Sequence, residues 1–444
     1  MSSYLLRGGR VIDPSTSLDA VQDVLIESGT IARMGKGLEA GSADALDVTG
    51  LVVAPGLVDM HTHVREPGRE DEETIATASR AAAAGGSTAI CAMPNTDPVA
   101  DTASVVEKVW ALGREAGLVQ VVPAGALSKG LAGESMSDIG EMARSVARVR
   151  LFTDDGKGVQ SALFARRAME YLIAFDGIYA EHCEDESLAL GGQMHEGDRS
   201  MKLGLRGIPA EAEELMAARD IALSRLTGCR LHLLHISTAG TVELVRRAKA
   251  DGLQVTCEAT PHHFTLTDEA LEGYDPNAKV NPPLRSEDHR VAVIAGLADG
   301  TVDAIATDHA PHAIEEKDIE FQYAPPGLVG LETALALTLT ELVEHGHMSL
   351  PNAIDRLSCA PARILGLGEQ GSLAEGRPAN VVVFDPATAW EVDPARFHSL
   401  CRNTPFGGRK VTGVVVHTFF NGTPTVRNSE IVGERLATGE GVNA

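Results

Sequence analysis

Aromatic residues are scarce in this chain of 444 residues, only 4%, and its six cysteines include no Cys-x-x-Cys pair. With so few rings available, the core has to be built from Ala, Val, Leu and Ile, which suits a parallel sheet covered by helices. The scattered cysteines exclude a zinc knuckle or a dithiol redox motif and point to a reducing, cytoplasmic setting. No run of about 18 apolar residues occurs, and the opening MSSYLLRGGRVIDP lacks a signal-peptide core. The expectation is a soluble, unprocessed protein with no membrane partner. Nor does any basic run offset the formal net charge of -24, which excludes nucleic acid and anionic membranes as partners. An anionic small substrate would need locally placed cations.

What the chain does have is two textures. Residues 1–53 are short alternating segments punctuated by glycine (YLLRGGRVIDP, DVLIESGTIARMGKG), and the same pattern returns over 371–444 (ANVVVFDP, KVTGVVVHTFFNGTPTV). Both ends read as antiparallel hairpins of one small β-domain, a sandwich assembled from the two termini. Residues 438–444 read as frayed. Between them, 54–370 alternates apolar runs with Ala- and Glu-rich helical stretches. Eight candidate strands follow in order: VDMHTH, TAICAMPN, VQVVPAGAL, RVRLFTDD, GIYAEHCED, LHLLHIST, LQVTCEAT and VDAIATDH. Eight successive β/α units predict an α/β fold, a (β/α)8 barrel whose chemistry sits at the carboxyl ends of the strands.

Those ends are where the ionisable residues fall. His61 and His63 alternate onto one face of the first strand, roughly 6–7 Å apart, close enough to share a metal ion. The pair alone reads equally well as two ordinary histidines. Asp155, His182, His235 and Asp308 end the fourth, fifth, sixth and eighth strands. Four imidazoles and two carboxylates exceed what one tetrahedral zinc with an open position takes, and suit two ions sharing an activated oxygen, a site able to hydrolyse an unactivated amide.

The motifs HTHVREPG, AMPNT, FTDDG, EHCED, LHLLHIST, VNPPLR, ATDHAPH and GLET, in this order on successive strands, make the sequence resemble the amidohydrolase superfamily. Within it, the chain resembles the dihydroorotases of the long-chain bacterial class. The resemblance implies zinc-dependent, reversible hydrolysis of the cyclic amide of (S)-dihydroorotate to N-carbamoyl-L-aspartate, the third step of pyrimidine biosynthesis. It implies two zinc ions, one held by His61, His63 and Asp308, the other by His182 and His235, with Asp155 bridging them. Related hydantoinases and allantoinases carry a carboxylated lysine at that bridge, whereas this strand reads RLFTDDG. Asp154 competes with Asp155 for the bridge, and strand alternation favours Asp155. Asp308 is implied to shuttle the proton. Substrate contacts are implied for His63, Arg65, Asn95, Asn281, His312, Pro326 and Gly327. Arg65 suits an exocyclic carboxylate because a guanidinium grips it through two parallel hydrogen bonds. Among relatives a phenylalanine often precedes Gly327, where this chain has Pro326.

Other polar residues read more plainly. His232 and His309 should face away from the ligands, and His262 and His263 are spare. Lys157 is a solvated loop charge, Cys183 and Cys257 are small buried apolar groups, and Glu181 and Glu184 are supporting or helix-start residues. The stretch from 313 to 325 reads as a mobile lid or as a plain surface loop. A homodimer and association with aspartate transcarbamoylase are what the family suggests for partners. Two rival functions remain: another cyclic amidohydrolase acting on hydantoin or allantoin, and a non-catalytic barrel that serves aspartate transcarbamoylase.

Overall fold

The computed structural model describes residues 3–432, so the expected fraying of 438–444 lies outside the described residues. All eight anticipated strands are present: β1 (Leu57–Thr62), β2 (Ser87–Ala92), β3 (Gln120–Pro123), β4 (Leu151–Phe152), β5 (Ile178–Glu181), β6 (Arg230–Leu233), β7 (Val255–Ala259) and β8 (Ala304–Ile305). They are shorter than their apolar runs, because each run ends in loop residues that carry polar side chains. The strands pair in parallel, β1 to β3 in one sheet and β4 to β8 in another. Two bridges join the sheets: Gly125 to Phe152, and Thr62 to His309. The second is short, with His63 N donating to His309 O at 2.7 Å. Every one of the eight strands therefore has a neighbour on both sides, which removes the exposed edges that an open parallel sheet would leave.

Period-two alternation sorts their side chains. Val58, Met60, Ala89, Cys91, Ile178, Ala180, Ala304 and Ala306 belong to one buried cluster. Leu57, Tyr179, Leu231, Leu233 and Ile305, alternating with residues of that first face, join a second cluster that includes helical residues such as Ala165, Met169, Val242 and Val245. The first face is dominated by small side chains, and none of the residues named on it is aromatic. The helices start where short polar side chains can satisfy their free N–H groups. Thr74 caps Ile75–Ala84, Ser161 caps Ala162–Leu172 and Thr238 caps Ala239–Ala250. Glu211–Thr227 ends at Gly228, whose φ of 77° favours a residue without Cβ.

The two ends of the chain share one nine-stranded sheet. Val52–Pro55 is its junction, pairing in parallel with Tyr4–Asp13 and antiparallel with Val381–Phe384. Leu6, Val11, Val24 and Ile31 from the N-terminal end pack in one buried cluster with Val381, Val383 and Phe419 from the C-terminal end.

The segment from 313 to 325, after β8, is largely exposed, as a surface loop would be, but is anchored at a few points. It contains a short helix, Ile314–Lys317, and buries Lys317, Phe321 and Ala324. Lys317 Nζ donates to Pro276 O at 2.9 Å and Pro325 O at 2.7 Å. Lys279 Nζ donates to Gln193 Oε1 at 2.6 Å and Phe321 O at 2.9 Å. Two buried ammonium groups thus hold the backbone of a stretch whose charged sequence reads as solvated.

Burial lowers the Lys317 ammonium to about 7, whereas in an unfolded chain a lysine keeps its proton to about 10.4. Between these values the unfolded state binds more protons, so stability attributable to Lys317 rises with pH and is least below pH 7. Urea unfolding of Lys317→Met beside the parent should show the difference moving in the variant's favour as pH falls from about 9 to about 6. A difference independent of pH would refute the lowering of Lys317 by burial.

Candidate metal centre

His61 lies in β1 and His63 directly follows it, while Asp155, His182, His235 and Asp308 stand one to three residues beyond β4, β5, β6 and β8. All six are buried. Their arrangement turns on Asp155. Its Oδ2 lies 3.5 Å from His61 Nε2 and 3.4 Å from His63 Nε2. Its Oδ1 lies 3.6 Å from His182 Nδ1 and 3.4 Å from His235 Nε2. Asp308 Oδ1 is 3.0 Å from His63 Nε2 and 3.6 Å from His61 Nε2. Two ligand triads, His61–His63–Asp155 and Asp155–His182–His235, meet at this one carboxylate.

These separations are the edges of coordination polyhedra. Atoms bound to one tetrahedral zinc at about 2.0–2.2 Å sit roughly 3.3–3.6 Å from each other. His61 Nε2 and Asp155 Oδ1 are buried and have no hydrogen-bond partner in the protein, a costly condition that cation binding relieves. The donor set of imidazoles and carboxylates fits a divalent transition metal, with one oxygen of Asp155 for each triad.

Electrostatics follow from the same packing. Burial alone would raise the Asp155 carboxyl, but the charge of His61 and the close approach of the His182 and His235 imidazoles hold it well below the usual carboxylate range. Burial likewise opposes the Asp308 carboxylate, and His63 and His61 overcome it, so Asp308 also stays ionised. Burial would lower His61, yet Asp155 and Glu258 raise it well above the ordinary histidine value. The metal-free centre therefore holds protons that a cation must displace.

Asp154, the competitor for the bridge, faces elsewhere. Its Oδ1 accepts from Leu127 N and Ser128 N at 2.9 Å each, tying the end of β4 to the loop after β3. His309 points to Glu73, at 3.2 Å, and His263 to Thr260 and Pro282. His262 is buried with neither ring nitrogen bonded to protein. Lys157 is exposed. Glu181 is buried and accepts from Tyr179 and Val159, while the helix start beside it is capped by Asp185.

The residues implied for substrate contact gather beside Asp308. Asn95 Oδ1 is 2.8 Å from His63 Nδ1, so Asn95 orients a ligand and keeps its amide hydrogens free. Asn281 Nδ2 lies 3.5 Å from His182 Nε2, and its Oδ1 is buried without a protein donor. Arg65, in left-handed backbone with φ 59°, donates from Nε to Pro311 O at 3.0 Å and lies 3.0 Å from Glu72 Oε2. His312 Nε2 stands 2.9 Å from Pro326 O and 3.4 Å from Arg65 Nη2. At Gly327, φ 139°, a Cβ would come within 2.9 Å of His312 Nε2 and 2.8 Å of Ala310 Cβ, so this backbone can lie close to the site only without a side chain.

Sequence reasoning passed over Asp59 and Glu258. Asp59 accepts from the backbone N–H groups of His61 and Thr307, both at 3.1 Å, and so ties β1 to the residues after β8. Glu258 accepts from His61 Nδ1 at 2.7 Å. The available signal was a lone carboxylate inside each apolar strand, at LVDMH and TCEAT.

A family model for dihydro-orotase-like proteins matches residues 50–241. The dihydroorotase of Pelotomaculum thermopropionicum is 49% identical over 427 residues, covering 96% of this chain and 99% of that protein. The chain belongs to the dihydroorotase family. The Streptomyces coelicolor dihydroorotase is 48% identical over 432 residues, 97% of this chain and all of its own. Among solved structures, the L-hydantoinase from Arthrobacter aurescens matches with a TM-score of 0.86 at 26% identity, over 98% of both chains. A D-hydantoinase from a Bacillus species shares the fold, with a TM-score of 0.85 over 97% of both chains at 24% identity. Dihydroorotase-family sequence thus sits on a mixed α/β fold held in common with hydantoinases.

For this member of the dihydroorotase family, zinc added to chelator-stripped protein in weak buffer at pH 7 should release protons, read by an indicator dye, because His61 must lose its proton to coordinate. Asp155→Ala should reduce the zinc retained after gel filtration. Uptake without proton release would contradict the protonated state of His61.

Proposed function

We propose that the chain is a dihydroorotase, catalysing the reversible hydrolysis of (S)-dihydroorotate to N-carbamoyl-L-aspartate with two zinc ions per chain. The observation that carries this reading is the 49% identity to a named dihydroorotase over nearly the whole of both chains. The intact set of six ligands supports an enzyme over a non-catalytic scaffold. The aspartate between the two triads supports dihydroorotate over hydantoin, whose hydrolases resemble this chain in fold at lower identity. The pairing of all eight strands to neighbours on both sides supports a closed (β/α)8 barrel over 54–370. The shared cluster of both termini supports a β-sandwich from 1–53 and 371–444, with Val52–Pro55 spanning the first boundary.

Bound zinc supplies Lewis-acid polarisation of the amide carbonyl and acidifies water. The protein's own groups do the rest. Asp308 is ionised and stands beside His63, so it can accept the proton of the attacking water and return it to the departing ring nitrogen. Arg65 has its Nε anchored by Pro311 and Glu72, which fixes the plane of its guanidinium and leaves Nη hydrogens for the substrate carboxylate. Asn95 offers amide hydrogens to a substrate oxygen, and Asn281 Oδ1 can accept a ring N–H. His312, Pro326 and Gly327 lie beside Arg65 and complete that side of the site. A cytoplasmic homodimer, with or without aspartate transcarbamoylase, completes the proposal.

A panel of dihydroorotate, hydantoin and allantoin is the direct test, with dihydroorotate turned over and the others not. Turnover of hydantoin or allantoin with none of dihydroorotate would reject the reading. Asp308→Ala should lower kcat by at least about 10²-fold and leave at least one zinc bound by metal analysis. Arg65→Lys should chiefly raise KM, because an ammonium cannot make the paired contact.

A further inference from the structure

One carboxylate behind the ligands touches both triads. Glu258, fully buried on β7, accepts through Oε1 from His61 Nδ1 at 2.7 Å and, in a longer contact of 3.4 Å, from the backbone N–H of His235. Its other oxygen, Oε2, accepts from His232 Nε2 at 3.1 Å. His232 Nδ1 in turn meets Thr256 Oγ1 at 2.8 Å. The register explains how these groups meet: His232 on β6 pairs with Thr256 on β7, and Glu258, two residues on, points to the same face as Thr256. His232, the histidine expected merely to pack, is in the structure the support of a buried anion.

His61 belongs to one triad and His235 to the other, and His235 holds its place with left-handed backbone at φ 30°. A β-substituted residue is strained there unless its surroundings fix it. Glu258 Oε1 contacts the backbone N–H of this residue and the imidazole of His61 at once. By accepting from Nδ1 of His61 it also leaves Nε2, on the side of Asp155, as the nitrogen that can coordinate a cation.

We infer that Glu258, held by His232 and Thr256, is a positioning residue that braces one histidine of each metal triad and so couples the two metal positions. This rests on reading the histidine and aspartate cluster as a metal centre and is independent of which ring is the substrate. The carboxylate contacts no reacting atom. It acts through His61, by orientation and by strengthening that imidazole as a donor, and through the backbone of His235.

The test is zinc affinity, measured on full-length, chelator-stripped protein by competition with a chromophoric chelator. Glu258→Gln should weaken both equivalents, by about 10- to 100-fold at the more affected one, and Glu258→Asp should recover part of the loss. Thr256→Val, three hydrogen bonds away from His61, should give a smaller loss in the same direction with the thermal midpoint of the metal-free protein unchanged. With dihydroorotate, the loss in Glu258→Gln at saturating zinc should fall on kcat and leave KM unchanged. Unaltered zinc affinity in Glu258→Gln and Thr256→Val would overturn the inference, and loss confined to one equivalent would overturn the coupling. If Glu258→Gln fails to fold, Thr256→Val decides: weaker zinc binding supports the brace and unchanged binding refutes it. A protein that binds zinc as described but ignores dihydroorotate would sink the proposed substrate and leave this inference standing.

Discussion

The Asp155 carboxylate is the constraint around which the rest is arranged. Its two oxygens face two different pairs of imidazoles at 3.4–3.6 Å, and the residue is buried. An isolated carboxylate there would be protonated by burial. Surrounded by four histidines it stays ionised, and it in turn favours the protonated forms of His61 and His182. Neither half of this arrangement is stable without the other, so the fold must deliver residues from β1, β4, β5 and β6 to one point together. Parallel strands do that, since all their carboxyl ends emerge on the same side.

The same demand explains the tethers between strands that meet across the ring. Asp59 links the first strand to the chain after the last through the N–H groups of His61 and Thr307. Asp154 ties the fourth strand to the loop after the third. Adjacent aspartates at 154 and 155 therefore divide the labour: one fixes the strand end, and the other is presented by it. The alternation that separates their roles is elementary, whereas their identity as structural tie and central ligand depends on what the third and fifth strands bring near.

Much of this was legible in the sequence because it rests on local rules. The eight apolar runs, the polar residues ending them and the hairpin texture of both termini all reflect periodicity that a chain carries in itself. The convergence of the six candidate side chains was likewise readable, since each stands at the end of a recognisable strand. What escaped was pairwise and long-range. Glu258 sits 197 residues from His61, and nothing within TCEAT reveals that its carboxylate meets an imidazole from the first strand. His232 read as packing because three residues from His235 on a strand turns it away from the ligands. It does turn away, toward the carboxylate that supports them. The charged stretch after residue 313 read as lid or surface loop because the acceptors for Lys317 and Lys279 are backbone carbonyls, which composition does not display.

Substrate recognition shows why the metal ligands and their neighbours cannot be treated as separate layers. Asn95 holds His63 by its oxygen and offers its hydrogens to the mouth. Arg65 is held by a backbone carbonyl and by Glu72, and Glu72 also lies 3.1 Å from His312. Each group that can touch a ring substrate is thus already engaged on its far side. Preorganisation of this kind lowers the entropic cost of binding, because the guanidinium and amides need not be immobilised when the substrate arrives. It also narrows the range of rings that fit. On the proposed reading a carboxylate-bearing ring would meet the paired donors of Arg65, whose other neighbours are Glu72, the Pro311 carbonyl and His312. In a chain whose overall charge is -24, a locally placed cation of this kind is what an anionic substrate requires.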